Sequence, residues 1–142
     1  MHLSEANRHT LLIAANQSVE EYATGCAEAL EEGRDPEMVY PPNGGFTAEE
    51  IQALKLLQGN TAMKLALRKV LADCAANVVF DLLNLIDGTT DPKQGQWSEV
   101  VLVDKPAYDE HREFLHDEFF GAYWDWQVIR PDKTWRLDLL AE

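Results

Sequence analysis

The densest polar chemistry in the chain lies in Tyr108-Asp-Glu-His-Arg-Glu-Phe-Leu-His-Asp-Glu118. On a helix, Glu113 and His116 stand three apart and point the same way. A Glu-x-x-His pair is half of the ligand set that di-iron helical bundles use. Glu5 and His9, four apart, supply only a partial second pair. His111 and His116 are five apart, diverge by well over 90° around a helix and do not chelate one ion unaided. A second constellation is Asp73, Asn77, Asp81 and Asn84, which steps of four, four and three put in line. Under a cover of other helices, the carboxylates of Asp73 and Asp81 would need donors or a cation. Raised pKa values there would mark an acid/base site. Facing water, the same stripe is an ordinary polar helix face. Together these residues define one functional reading, a metal-dependent or acid/base enzyme built on Glu113, His116 and Asp81.

Other chemistries find no motif. Asp87-Gly-Thr-Thr-Asp91-Pro is rich in oxygen donors but lacks the spacing of an EF-hand loop. A helix stop followed by an Asx-type turn explains it with fewer assumptions. No Gly-x-Ser-x-Gly elbow occurs. Gly44-Gly45 is followed by Phe-Thr-Ala, not by the Lys-Ser/Thr of a phosphate-binding loop. Neither Cys26 nor Cys74 belongs to a Cys/His signature or a zinc spacing. No cofactor is expected, and the balance of motifs leans away from an enzyme. The 108–118 run also suits recognition. Asp109, Glu110, Glu113, Asp117 and Glu118, joined by Tyr123 and Trp124, make an acidic, aromatic patch of the kind that anchors a protein partner.

The elements that must position these residues are mostly helical. Ser4 is placed to cap a helix over 4–32, in which Leu12, Ala15, Val19, Tyr22, Cys26 and Leu30 form one apolar stripe. Gly33 is its expected stop. Residues 33–46, broken by Pro36, Pro41, Pro42, Gly44 and Gly45, form the longest irregular segment. Its Met38, Val39, Tyr40 and Phe46 predict that it packs down, and a connection of this length is often functional. Thr47-Ala-Glu-Glu50 matches a capping box and opens a short helix to about Gln58. Asn60 or Thr61 caps the next helix, over 61–87. That helix carries the polar stripe from Lys69 to Asp87 and is apolar elsewhere, which predicts a central helix surrounded by other elements. Residues 98–104 read as a strand, 107–126 as a third long helix and 134–140 as a second strand. The expected fold is a single mainly α domain with a minor β element (α+β). It is a small helical bundle around the 61–87 helix, with a two-stranded ribbon near 98–104 and 134–140 packed on it.

At 142 residues the chain has the length of one ordinary domain, 1–142. Twelve Lys and Arg face 25 Asp and Glu, for a formal net charge of −13. Phosphate backbones and anionic membranes repel such a surface, so neither direct nucleic-acid binding nor membrane binding is expected. A basic protein is the better electrostatic match. The residues MHLSEANRHT lack the basic and apolar regions of a signal peptide, and no apolar run reaches the roughly 20 residues that span a bilayer. A cytoplasmic location is expected, with both cysteines reduced and buried.

The profile, small and acidic with no catalytic motif, resembles that of bacterial immunity and inhibitor proteins that neutralise a basic toxin or nuclease. That resemblance rests on no motif and implies a basic protein partner. The leading expectation is thus a protein-binding or inhibitor protein that docks through an acidic helical face. The enzyme above is one alternative. A structural, homodimeric helical subunit is the other.

Overall fold

The computed structural model describes residues 3–36, 38–42, 44–95, 97–98, 100–104 and 122–129, with only the backbone at 122, 123, 126 and 127. Among them the fold is mainly helical. The elements are α1 (Glu5–Glu31), α2 (Ala48–Leu54), a 3-10 turn (Lys55–Leu57), α3 (Thr61–Ile86) and α4 (Ala122–Ile129).

Local chemistry explains each boundary. The Ser4 hydroxyl accepts from the Asn7 backbone N–H at the start of α1. At its end Gly33 adopts φ +74°. The Gly33 N–H donates to the Leu30 carbonyl and the Arg34 N–H to the Ala29 carbonyl. This is a complete Schellman motif, which needs a residue that tolerates positive φ. The Thr47–Glu50 capping box forms in both directions, at 2.7 and 3.2 Å. Asn60 Oδ1 accepts from the Met63 N–H and opens α3. Gly88, at φ +68°, repeats the Schellman stop: its N–H donates to Leu85, and that of Thr89 to Asn84.

Helices α1 and α3 pack against each other as an antiparallel hairpin. At one end Glu31 of α1 meets the first turn of α3. Its carboxylate accepts from Lys64 Nζ at 2.8 Å and from Thr61 Oγ1 at 3.1 Å. The Gly59 N–H donates to the Glu31 carbonyl at 2.8 Å. Further along, Glu20 and Thr24 share a notch with Arg68, Lys69 and Ala72. The buried apolar side chains among the described residues are Ala23, Ala27, Ala29, Leu30 and Pro41. Ala23, Ala27 and Leu30 lie on one stripe of α1, and small residues there let two helices approach closely. At the opposite end of the hairpin, Asp104 ties the 100–104 segment to the start of α1. Its carboxylate accepts from Asn7 Nδ2 at 2.7 Å and from the Ser4 N–H at 3.2 Å.

These two ties set an acid response. The hydrogen bond from Lys64 and then that from Thr61 hold the Glu31 carboxyl below its ordinary value. The hydrogen bond from Asn7, helped by Ser4, does the same for Asp104. Each depressed carboxyl contributes stability that is present above its unfolded-state value and is lost as the pH falls through its folded-state value. The loss therefore sets in below about pH 4. Replacing both groups, as Glu31→Gln with Asp104→Asn, lowers the melting temperature at pH 7. It also narrows the difference between pH 7 and pH 3, which thermal denaturation followed by circular dichroism measures.

Several expectations change. The 61–87 helix is not surrounded: none of its described residues is buried, and Val78, Phe80 and Leu82 are more than half exposed. Among the described elements only α1 lies along it, so one side is covered and the rest is open. On α1, Tyr22 departs from the apolar stripe and is 81% exposed. Cys26 is only half-buried and Cys74 is exposed, so neither thiol is buried as expected. The strand expected at 98–104 is not shown among the described residues, where Val103 makes an isolated bridge. Its expected partner, 134–140, lies outside the described residues, so the ribbon is not shown. Residues 107–121 of the third long helix also lie outside them, and α4 runs three residues past the expected end at 126.

Candidate functional site

The irregular 33–46 segment packs down in part: Val39, expected to turn inward, is 66% exposed. Pro41 is fully buried, and Met38, Tyr40 and Phe46 are half-buried. The Gly44 N–H donates to the Pro41 carbonyl at 2.8 Å. Because the Schellman stop turns the chain back at Gly33, residues 34–36 and 38 lie beside the C-terminal half of α1. An open groove of about 810 Å³ lies between them. Gly25, Cys26, Ala29 and Met38 supply its apolar walls, and Glu21, Tyr22, Arg34 and Asp35 its polar rim.

The rim is electrostatically one-sided. Arg34 Nε pairs with Glu32 at 2.7 Å, which matches its charge. Glu21 and Asp35 remain as the excess. Gln17 Nε2 donates to Glu21 Oε1 at 2.6 Å and fixes that carboxylate's direction. Tyr22, also in the lining, is exposed to solvent. The wall itself is kept low by Gly25. A glycine in a helix interior costs about 1 kcal/mol relative to alanine. A Cβ added at Gly25 would meet nothing within 4 Å, so packing does not demand the glycine. The space it leaves opens onto the groove.

The groove suits binding better than reaction. Burial raises the Cys26 thiol pKa above its ordinary value. The group stays a protonated thiol at neutral pH, and the thiolate is the nucleophilic form. Two carboxylates, an exposed phenol and a shallow apolar wall can receive a cationic side chain with an aliphatic stem.

The residues singled out by sequence fare differently. Asp73, Asn77 and Asp81 are exposed on α3, and Asn84 is half-buried. Asn77 Nδ2 donates to Asp73 Oδ2 at 3.3 Å. Thr89 Oγ1 donates to Asn84 Oδ1 at 2.8 Å, so Asn84 serves the helix stop. The stripe is thus a solvated helix face, and the buried-carboxylate condition for an Asp81 acid/base site is not met. Glu5 and His9 are exposed on α1. No group of three or more His, Cys, Asp or Glu is placed to hold a metal among the described residues. Asp109, Glu110, His111, Glu113, His116, Asp117 and Glu118 lie outside them. Tyr123 lies in α4 with only its backbone described, and Trp124 is 42% exposed. No helix among the described residues is long and apolar enough to cross a membrane.

The groove itself escaped the sequence reading. Tyr22 and Cys26 fit the apolar stripe of α1 by spacing, which pointed them at a core. Two signals were present: a glycine in mid-helix, and a long Pro/Gly loop with apolar residues following directly on the helix stop. No protein-family model, curated protein or solved structure matches the chain.

Proposed function

We propose that this chain is a small acidic binding protein, inhibitor-like in mode, that docks on a basic protein partner. One observation carries the reading. A groove with Glu21 and Asp35 in excess on its rim and a solvent-exposed Tyr22 beside them lies on a chain of net charge −13. Long-range attraction would speed encounter, and Tyr22 with the Gly25 wall would hold the partner's side chain. The acidic run Asp109, Glu110, Glu113, Asp117 and Glu118, with Tyr123 and Trp124, extends the same acidic surface under this proposal. The α1–α3 hairpin is its scaffold, the centre of a small bundle on which the 98–104 and 134–140 ribbon packs. An immunity-like role and a cytoplasmic site of action follow the same logic. A pull-down from host lysate at low salt recovers a basic protein, and high salt releases it. Recovery of acidic or neutral proteins alone, or retention unaffected by salt, argues against the reading.

A further inference from the structure

We propose, building on the groove reading above, that the groove takes one arginine side chain of the basic partner and that Gly25 is the residue that admits it. Ser18, Tyr22, Gly25 and Ala29 are spaced four, three and four, so they form one line along α1. Glu21 and Cys26 flank that line, and all six residues line the groove. The chemistry changes along the helix. Its N-terminal side carries the Ser18 hydroxyl and the Glu21 carboxylate. Its C-terminal side carries Gly25, Cys26 and Ala29, which are small and uncharged. At 1.5 Å per residue, Glu21 lies about 6 Å along the axis from Gly25. One long cationic side chain covers that span, with its stem over Gly25 and its head at Glu21.

The unused acceptors favour arginine over lysine. Gln17 engages Glu21 Oε1 at 2.6 Å, and among the described residues no donor reaches Glu21 Oε2 or the Asp35 carboxylate. Arg34, the one cation in the lining, is engaged by Glu32 at 2.7 Å. Two acceptors from two elements therefore remain, and the same lining holds the exposed ring of Tyr22. A guanidinium is a planar fork of N–H donors that serves two acceptors at once and stacks on an aromatic face. An ammonium is a compact, strongly hydrated charge. It loses more by giving up water to a groove walled by the Cys26 thiol and the Met38 thioether. Gly25 sets the room for the stem. Mid-helix glycine weakens α1, and a Cβ there would meet nothing within 4 Å, so neither helix formation nor packing calls for it. A side chain at position 25 would stand where the stem lies.

The test titrates the full, isotopically labelled chain at low salt with the capped peptide Gly-Gly-Arg-Gly-Gly and with its lysine counterpart. The backbone resonances of Tyr22, Gly25 and Cys26 shift with the arginine peptide. It binds more tightly than the lysine peptide by about fivefold or more, the size of one exposed stacking contact. Gly25→Leu weakens arginine-peptide binding by about tenfold while the melting temperature holds or rises, because leucine is the better helix former. A residue with only a structural role would move both readings the same way. If Gly25→Leu loses its helical circular-dichroism signal, Gly25→Ala carries the same test, with binding weakened and the melting temperature raised. Equal affinity for the two peptides overturns the choice of arginine and leaves the groove a general cation site. Unchanged binding in the folded Gly25 variants overturns the role of Gly25. Shifts from neither peptide overturn this inference and the groove reading together.

Discussion

Leu30→Ala lowers the stability of the folded chain by about 2–5 kcal/mol, the range for deleting a buried leucine side chain. Leu30 is only 7% exposed and stands beside Ala27 and Ala23 on the stripe that meets α3. The other members of that buried stripe are alanines, so Leu30 is its one large side chain among the described residues. The surrounding helices are held at their spacing by the alanines and by the Glu31–Lys64 tie, and cannot collapse freely into the space. A cavity therefore remains, and the cavity term adds to the lost transfer energy. The Leu30 carbonyl also accepts the Gly33 N–H in the Schellman stop, but a backbone group survives the substitution. Leu56→Ala is the control. Leu56 is 80% exposed, and its loss changes stability by no more than about 0.5 kcal/mol. Chemical denaturation with both variants measures the difference.

Glu21→Lys combined with Asp35→Lys slows association with a basic partner by about tenfold or more and flattens its salt dependence. The two substitutions change the rim from an excess of two negative charges to an excess of two positive ones. Both positions are exposed, so the fold tolerates the change. Tyr22→Ala acts differently. It removes a contact made after encounter, so it speeds dissociation and leaves the association rate nearly unchanged. Stopped-flow or surface-based kinetics separates the two effects. An equal loss of rate in both variants would mean that Tyr22 acts on the fold and not on the partner.

Local signals in the sequence carry most of the helical organisation. Ser4, Thr47–Glu50, Asn60, Gly33 and Gly88 each act through their own side chain or their own φ, and each marks a boundary within a residue or two. What local pattern does not carry is which face meets which. The apolar content of α3 predicts a surrounded helix, yet burial depends on neighbours far away in sequence, and α1 covers only one side. Tyr22 fits a core stripe by spacing and points to solvent, because residues 34–36 and 38 and no described helix lie beside that flank. The Asp73–Asn84 stripe was legible as a line of polar residues. Whether it was covered was not, and the structure answers that it is solvated. The segment 98–104 has the β-branched composition of a strand, but composition does not say which segment pairs with it.

The most direct test of the account places a photo-reactive phenylalanine analogue at position 22 and irradiates the chain in host lysate at low salt. The groove reading predicts one dominant cross-linked protein of strongly basic composition. That product is lost at high salt, lost on Glu21→Lys with Asp35→Lys, and absent when the same analogue replaces Phe80 on the outer face of α3. Cross-linking of equal strength from positions 22 and 80, or a product that survives the charge reversal, would contradict it.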